Sequence, residues 1–175
     1  GLTFSKLENK QSKKENILLF NHRLVKQKNH KSFMEDIVPM LLNKYSDLKI
    51  YVTSYGMGST DLLGELRRYK HERFFLLMNE ENKYYELLKK AKFGLSLSEN
   101  DNFGTSYAYS LLNNILYFLP NRLSFPEIAH EDLLFNNYSE FFEKFDNFYK
   151  NGFDIEKYKN HFLSKYSEEI VVKKI

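Results

Sequence analysis

The sequence predicts an α/β domain built on a parallel β-sheet with helices on both faces. Apolar runs of strand length recur roughly every 20 to 25 residues, and the stretches between them carry apolar residues at helical spacing. Strands buried on both faces read as continuous apolar runs, and parallel neighbours need a crossover, usually a helix, between them. Size agrees, because 175 residues of 42% apolar content suit one domain with a full core.

Residues 1–15 are a charged lead-in, read as a linker or N-terminal arm, and the domain is read as 16–175. Asn16–Asn21 is the first strand. Asn29 is placed as the N-cap of a helix in which Phe33, Ile37, Leu41 and Tyr45 recur at spacing four, with Met34, Val38 and Leu42 beside them and a bend at Pro39. Leu48–Thr53 is a second strand, followed by a loop with Gly56 and Gly58. Asp61–Lys70 reads as a short helix or an irregular piece, and Arg73–Met78 as a third strand. In the helix Glu80–Lys90, Tyr84, Leu87 and Leu88 face inward. Phe93–Ser98 is the fourth strand, Gly104–Asn113 a helix, Ile115–Leu119 the fifth strand and Leu133–Phe135 a short sixth. Helices Tyr138–Lys150 and Ile155–Ser167 close the chain. The aromatic residues of "SEFFEKFDNFY" fall at helical spacing and are read as core.

Composition narrows the function. The 26 basic and 23 acidic residues leave a formal charge of +3, which tolerates a phosphate-bearing ligand without marking a nucleic-acid binder. Absence of cysteine excludes disulfides and thiolate metal sites. No run of 18 apolar residues is present and the first residues lack a signal peptide's apolar stretch, so a cytoplasmic location is expected. The five histidines, His22, His30, His71, His130 and His161, show no metal spacing, and most are read as surface residues. No P-loop, HExxH, GxSxG or full GxGxxG occurs.

Ligands of parallel sheets sit at the carboxyl ends of the strands, and three loops there carry chemistry. In "NHRLVKQKN", Arg23 and Lys28 follow strand one. An Arg fork and a Lys point charge suit a diphosphate, and a solvated basic loop is the plain alternative. In "SENDNFGTSYAYSLL", a strand, a polar loop, Phe-Gly and a helix make an anion site. First-turn N–H groups lack intrahelical partners and the helix dipole is positive there. Gly104 would let a phosphate approach, Thr105 and Ser106 would add hydroxyl donors, and Asp101 would accept from sugar hydroxyls. The plain alternative is an ordinary joint capped by Asp101 or Asn102. In "LPNRLSFPEI", two prolines, an Arg and Glu127 form a rigid loop on the same crevice, or a plain connection.

These loops, in this order, resemble the C-terminal donor-binding domain of retaining GT-B glycosyltransferases of the glycogen-synthase and mannosyltransferase type. Arg23, Lys28 and Asn29 match the family's first loop. Asp101, Asn102, Phe103 and Gly104 match its Glu-x-Phe-Gly, with Asp for Glu. Asn21-His22-Arg23 and Pro120 through Glu127 are similar to loops of the tRNA-queuosine mannosyltransferase-like group. The resemblance covers about residues 16–150.

It implies one Rossmann-like half of a GT-B fold, binding a UDP- or GDP-linked sugar as co-substrate, with no metal or other cofactor. Arg23, Lys28 and Asp101 take the catalytic places, and Asn102, Phe103, Gly104, Thr105, Ser106, Tyr109 and Glu127 the donor-binding ones. The acceptor would be a modified nucleobase in tRNA or DNA, or a surface glycan, and the N-terminal acceptor domain would lie in the same protein or a partner chain. Tyr109 departs from the family, which has a ribose-holding Glu there. A phenol cannot accept two hydroxyl hydrogens as a carboxylate does, so Tyr109 is expected either to reach the donor with its hydroxyl or to turn inward as core. A non-catalytic GT-B-like binding or scaffold module is the alternative.

Overall fold

The computed structural model describes residues 13–56, 58–100 and 104–166. Its centre is a six-stranded, wholly parallel sheet in the order β3-β2-β1-β4-β5-β6. The strands are β1 Glu15–Asn21, β2 Lys49–Ser54, β3 Phe74–Met78, β4 Ala91–Leu95, β5 Leu116–Pro120 and β6 Leu134–Phe135. β1 and β4 are central. Leu18, Leu19 and Phe20, and Phe93 and Leu95, are inaccessible to solvent, as expected of strands covered on both faces. One extra residue in β1 shifts its register against β4 between Glu15 and Leu18.

The helices are α1 His30–Ser32, α2 Val38–Lys44, α3 Thr60–Arg68, α4 Glu81–Lys90, α5 Thr105–Leu112, α6 Phe125–Ile128, α7 Tyr138–Asn151 and α8 Ile155–Tyr166. A π-helical turn, Phe33–Ile37, joins α1 to α2, and Pro39 sits in the first turn of α2, where its missing N–H leaves few bonds unmade. The sequence places a simple bend there. The α7 N-terminus has reciprocal caps: Asn137 accepts from the Glu140 N–H at 2.9 Å, and Glu140 accepts from the Asn136 N–H at 2.8 Å. α3 is a regular helix, capped by Ser59. No helix among the described residues is long and apolar enough to cross a membrane.

Two expectations are corrected here. Asn29 does not cap α1 with its side chain. It sits at φ 55°, and its amide turns away to the Leu97 carbonyl at 2.9 Å. His22 and His30 are buried, not surface residues. His30 shares a face with Phe33 and Ile37, and its ring meets Phe20 edge-on at 5.1 Å. Neither of its ring nitrogens has a hydrogen-bond partner among the described residues. Burial lowers its pKa to about 4. Nearby carbonyls of His22 and Val25 oppose the shift, and the Lys28 charge adds to it. The folded pKa lies below the unfolded value of about 6.5, so the unfolded chain binds more protons between the two. Stability is then complete above pH 6.5 and falls toward pH 4, by at most ~1.4 kcal/mol per pH unit. His30→Phe is expected to flatten this acid slope in urea melts between pH 4 and 7. An unchanged slope would assign it to other groups.

The chain enters the domain at Lys14, ahead of β1. Its ammonium donates to the carbonyls of Leu88 at 3.1 Å and Asn113 at 2.5 Å, beside the ends of α4 and α5. Loss of water lowers its pKa to about 8.

Candidate functional site

The carboxyl ends of β1, β2 and β3 and the start of α5 surround an open cavity of about 800 Å³. Arg23 and Lys28 lie on its wall, as do Thr105 and Ser106 from the first turn of α5. The loops after β1 and β4 are adjacent, as the strand alternation implied, and they are stitched together. The Lys28 ammonium donates to Ser98 Oγ at 2.8 Å and to the Asn100 carbonyl at 2.9 Å. Asn29 Nδ2 reaches Glu99 at 3.0 Å, and the Glu99 N–H reaches the Gln27 carbonyl at 2.8 Å. Lys28 thus both faces the cavity and braces the neighbouring loop.

The same bracing explains where β4 ends. The sequence predicts a strand to Ser98, but the ladder stops at Leu95. Beyond it, the Leu97 carbonyl accepts from Asn29 and from Arg122 Nη2 at 3.0 Å, and the Ser98 carbonyl from Arg122 Nε at 3.2 Å. Side chains from two loops replace a neighbouring strand as partners for buried carbonyls. Arg122, in the loop after β5, is therefore a structural arm.

Asp101, Asn102 and Phe103 lie outside the described residues. Gly104 is described, at the N-cap of α5 with φ 58°. A Cβ there would lie 2.6 Å from Ile128 Cδ1 and 3.7 Å from the Phe125 ring. The glycine is thus required by its left-handed backbone and by close packing on α6, rather than by open space for a ligand. Glu127 is exposed on α6 and is not among the residues lining the cavity. Tyr109 is 39% exposed, so the inward reading fails. It too lies off the cavity wall, within electrostatic reach of Tyr84 and Tyr85 on α4.

The sequence reading missed the wall formed by β2, β3 and α4. Thr53, Tyr55, Glu80, Glu81, Tyr84 and Tyr85 line it. Tyr84, read as inward, is only partly exposed and reaches the cavity. The cavity is therefore polarised. Cations and first-turn N–H groups stand on one side, the carboxylates of Glu80 and Glu81 and the phenols of Tyr55 and Tyr85 on the other, and the Tyr84 hydroxyl meets Asn21 at the end of β1. Such a space suits a ligand that is anionic at one end and rich in hydroxyl or N–H groups at the other.

Comparison of the sequence with family models and with curated proteins returns no match. Comparison of the structure with solved structures finds glycosyltransferases. The crystal structure of TarM aligns with a TM-score of 0.74 at 16% identity, over 94% of this chain and 35% of that one. An S. aureus TarM variant in complex with fondaparinux, alpha-GlcNAc-glycerol and UDP aligns at 0.73 and 19% identity, over 98% and 37%. The C-terminal domain of the glycosyl transferase group 1 family protein LpcC from Francisella tularensis aligns at 0.58 and 16% identity, over 90% of this chain and 84% of that domain. The chain thus has the Rossmann-like α/β fold of one half of a GT-B glycosyltransferase, and it spans little more than a third of the TarM chains it matches.

Proposed function

We propose that the chain is the donor-binding half of a glycosyltransferase that transfers a hexose with retention from a nucleoside diphosphate to an acceptor held by a second domain. The observation that carries the reading is the cavity at the carboxyl edge of the sheet, where Arg23 and Lys28 flank the first turn of α5. As the bond from sugar to diphosphate oxygen breaks, its electron pair stays with the diphosphate, which gains charge. Arg23, Lys28 and the N–H groups of Thr105 and Ser106 would stabilise that charge with donors already in place. Thr105 adds a hydroxyl, the Ser106 O–H being committed to the Asn21 carbonyl at 2.9 Å, and Asp101 is the candidate to orient sugar hydroxyls. The carboxylates of Glu80 and Glu81 and the phenols of Tyr55 and Tyr85 suit the nucleoside.

Fold likeness at under 20% identity supports the class of ligand but not its sugar or base. A modified nucleobase and a surface glycan are both compatible acceptors. The non-catalytic alternative draws on Tyr109, whose phenol stands off the cavity where the resembling enzymes place a carboxylate. Calorimetric titration with UDP- and GDP-hexoses, UDP, GDP and inorganic pyrophosphate tests the reading. Saturable binding of at least one nucleotide, displaced by pyrophosphate, is expected. No binding of any of them at roughly millimolar concentration, a free energy of only about −4 kcal/mol, would remove the proposal.

A further inference from the structure

The cavity floor carries a chain of hydrogen bonds whose direction follows from one unambiguous acceptor. The Leu95 carbonyl can only accept. His22 Nε2 lies 3.3 Å from it and 3.2 Å from the Tyr117 hydroxyl, so that nitrogen carries the imidazole proton. The Tyr117 oxygen then receives from His22, and its own proton goes to Asn21 Oδ1 at 2.7 Å. This orients the Asn21 amide. Its Nδ2 donates to the Tyr84 hydroxyl at 3.0 Å and to Ser110 Oγ at 3.2 Å. The Tyr84 oxygen is thereby engaged as an acceptor. Its O–H meets no acceptor among the described residues, and Tyr84 lines the cavity. Burial raises the Tyr84 pKa, with the Asn21 hydrogen bond working in the opposite direction, so the phenol keeps its proton at neutral pH.

Position supplies the ligand chemistry. The Asn21 carbonyl accepts from Ser106 Oγ at 2.9 Å, which ties this network to the first turn of α5. The Tyr84 O–H therefore opens into the same cavity as Arg23, Lys28 and the α5 N–H groups. Donors converging in one cavity match a group that only accepts. With its oxygen already engaged, Tyr84 has a donor and no further acceptor role to offer.

We infer that Tyr84 is a ligand-binding residue, whose O–H, turned into the cavity by the His22–Tyr117–Asn21 relay, donates a hydrogen bond to a phosphate oxygen of a bound diphosphate. The inference rests on the proposed reading of the cavity as a nucleoside-diphosphate site. His22, Tyr117 and Asn21 act as positioning residues. Gly94 belongs to the same arrangement, because a Cβ there would lie 2.2 Å from the Tyr117 ring. Only glycine lets that ring lie across β4 with its hydroxyl at Asn21.

The test is Tyr84→Phe, which keeps the ring and removes the hydroxyl. Titrated with inorganic pyrophosphate, UDP and GDP, the variant is expected to bind pyrophosphate and at least one nucleotide about tenfold more weakly than the parent chain. Unchanged affinity for pyrophosphate and both nucleotides, alongside weakened binding in Arg23→Ala, overturns the role of Tyr84 and leaves the diphosphate site standing. No binding of any of the three to the parent chain overturns both. Should Tyr84→Phe fail to fold, the ring carbon bearing the hydroxyl of Tyr84, labelled with carbon-13 in the parent chain, gives a second readout. Its resonance is expected to shift on addition of pyrophosphate, and a resonance that stays in place while pyrophosphate binds overturns the inference.

Discussion

Arg23→Ala is expected to weaken nucleoside-diphosphate binding ten- to a hundredfold without changing the thermal midpoint of the unliganded chain. The side chain is exposed on the cavity wall, and the described structure gives it no side-chain hydrogen bond or ion pair, so its removal leaves the fold intact. What is lost is a charge-assisted contact of ~1.5–3 kcal/mol with the diphosphate. Lys28→Ala makes an informative contrast. Its ammonium already holds Ser98 and Asn100, so its loss should weaken binding and also lower the midpoint. Calorimetry on both variants, with melting curves beside it, separates the two. Parental affinity in Arg23→Ala would place the diphosphate elsewhere.

A loss of ~3–5 kcal/mol is expected of Phe145→Ala, by the usual cost of emptying a buried aromatic site. Phe145 on α7 is inaccessible to solvent and meets five other rings, from Phe93 at 4.8 Å to Phe118, Phe141 and Tyr149 at 5.7 Å, with Tyr45 at 5.4 Å between. Through them it joins α7 to β4, to β5 and to the segment after α2, so no single neighbour can relax into the space. Small domains keep only ~5–15 kcal/mol in total, and the variant should be marginal at 37 °C. Phe142, three residues earlier, is only partly buried, and Phe142→Ala should cost clearly less. Urea denaturation measures both. A loss below ~1 kcal/mol for Phe145→Ala would show that α7 is not integral to the core.

The strand–helix alternation was legible because a parallel sheet buries whole strands, and runs such as Ile17–Phe20 have no polar face to confuse the period. Boundaries were less so. Ser96–Ser98 continue the buried run of β4, but whether they join a ladder depends on Asn29 and Arg122, which lie far away in sequence. The burial of His30 had a signal, since it precedes Phe33 by three and Ile37 by seven, one helical face. Its polar neighbours Asn29, Lys31 and Ser32 obscured it. The cationic wall of the cavity was legible because Arg23 and Lys28 follow directly on a strand. The phenolic wall was not. Tyr84 faces Asn21 only because β2 and β3 lie on the far side of β1, and the order of strands in a sheet is a property of the folded chain that no local pattern carries.

The central place of β1 also has a consequence in time. Leu18 pairs with Ile50 on one side and with Phe93 on the other, 32 and 75 positions later in the chain. At synthesis rates of ~5–20 residues per second, this central strand is made roughly 4 to 15 seconds before its second partner exists. Until then the edge of Ile17–Phe20 that β4 will occupy stays open. Every pairing in the sheet spans a crossover, so no local hairpin shields the strand in the interval, and closing such distant contacts is slow. Nascent chains halted before Phe93 should therefore be the aggregation-prone species, the form on which chaperones act. Stalling synthesis there and assaying protease resistance would reveal it.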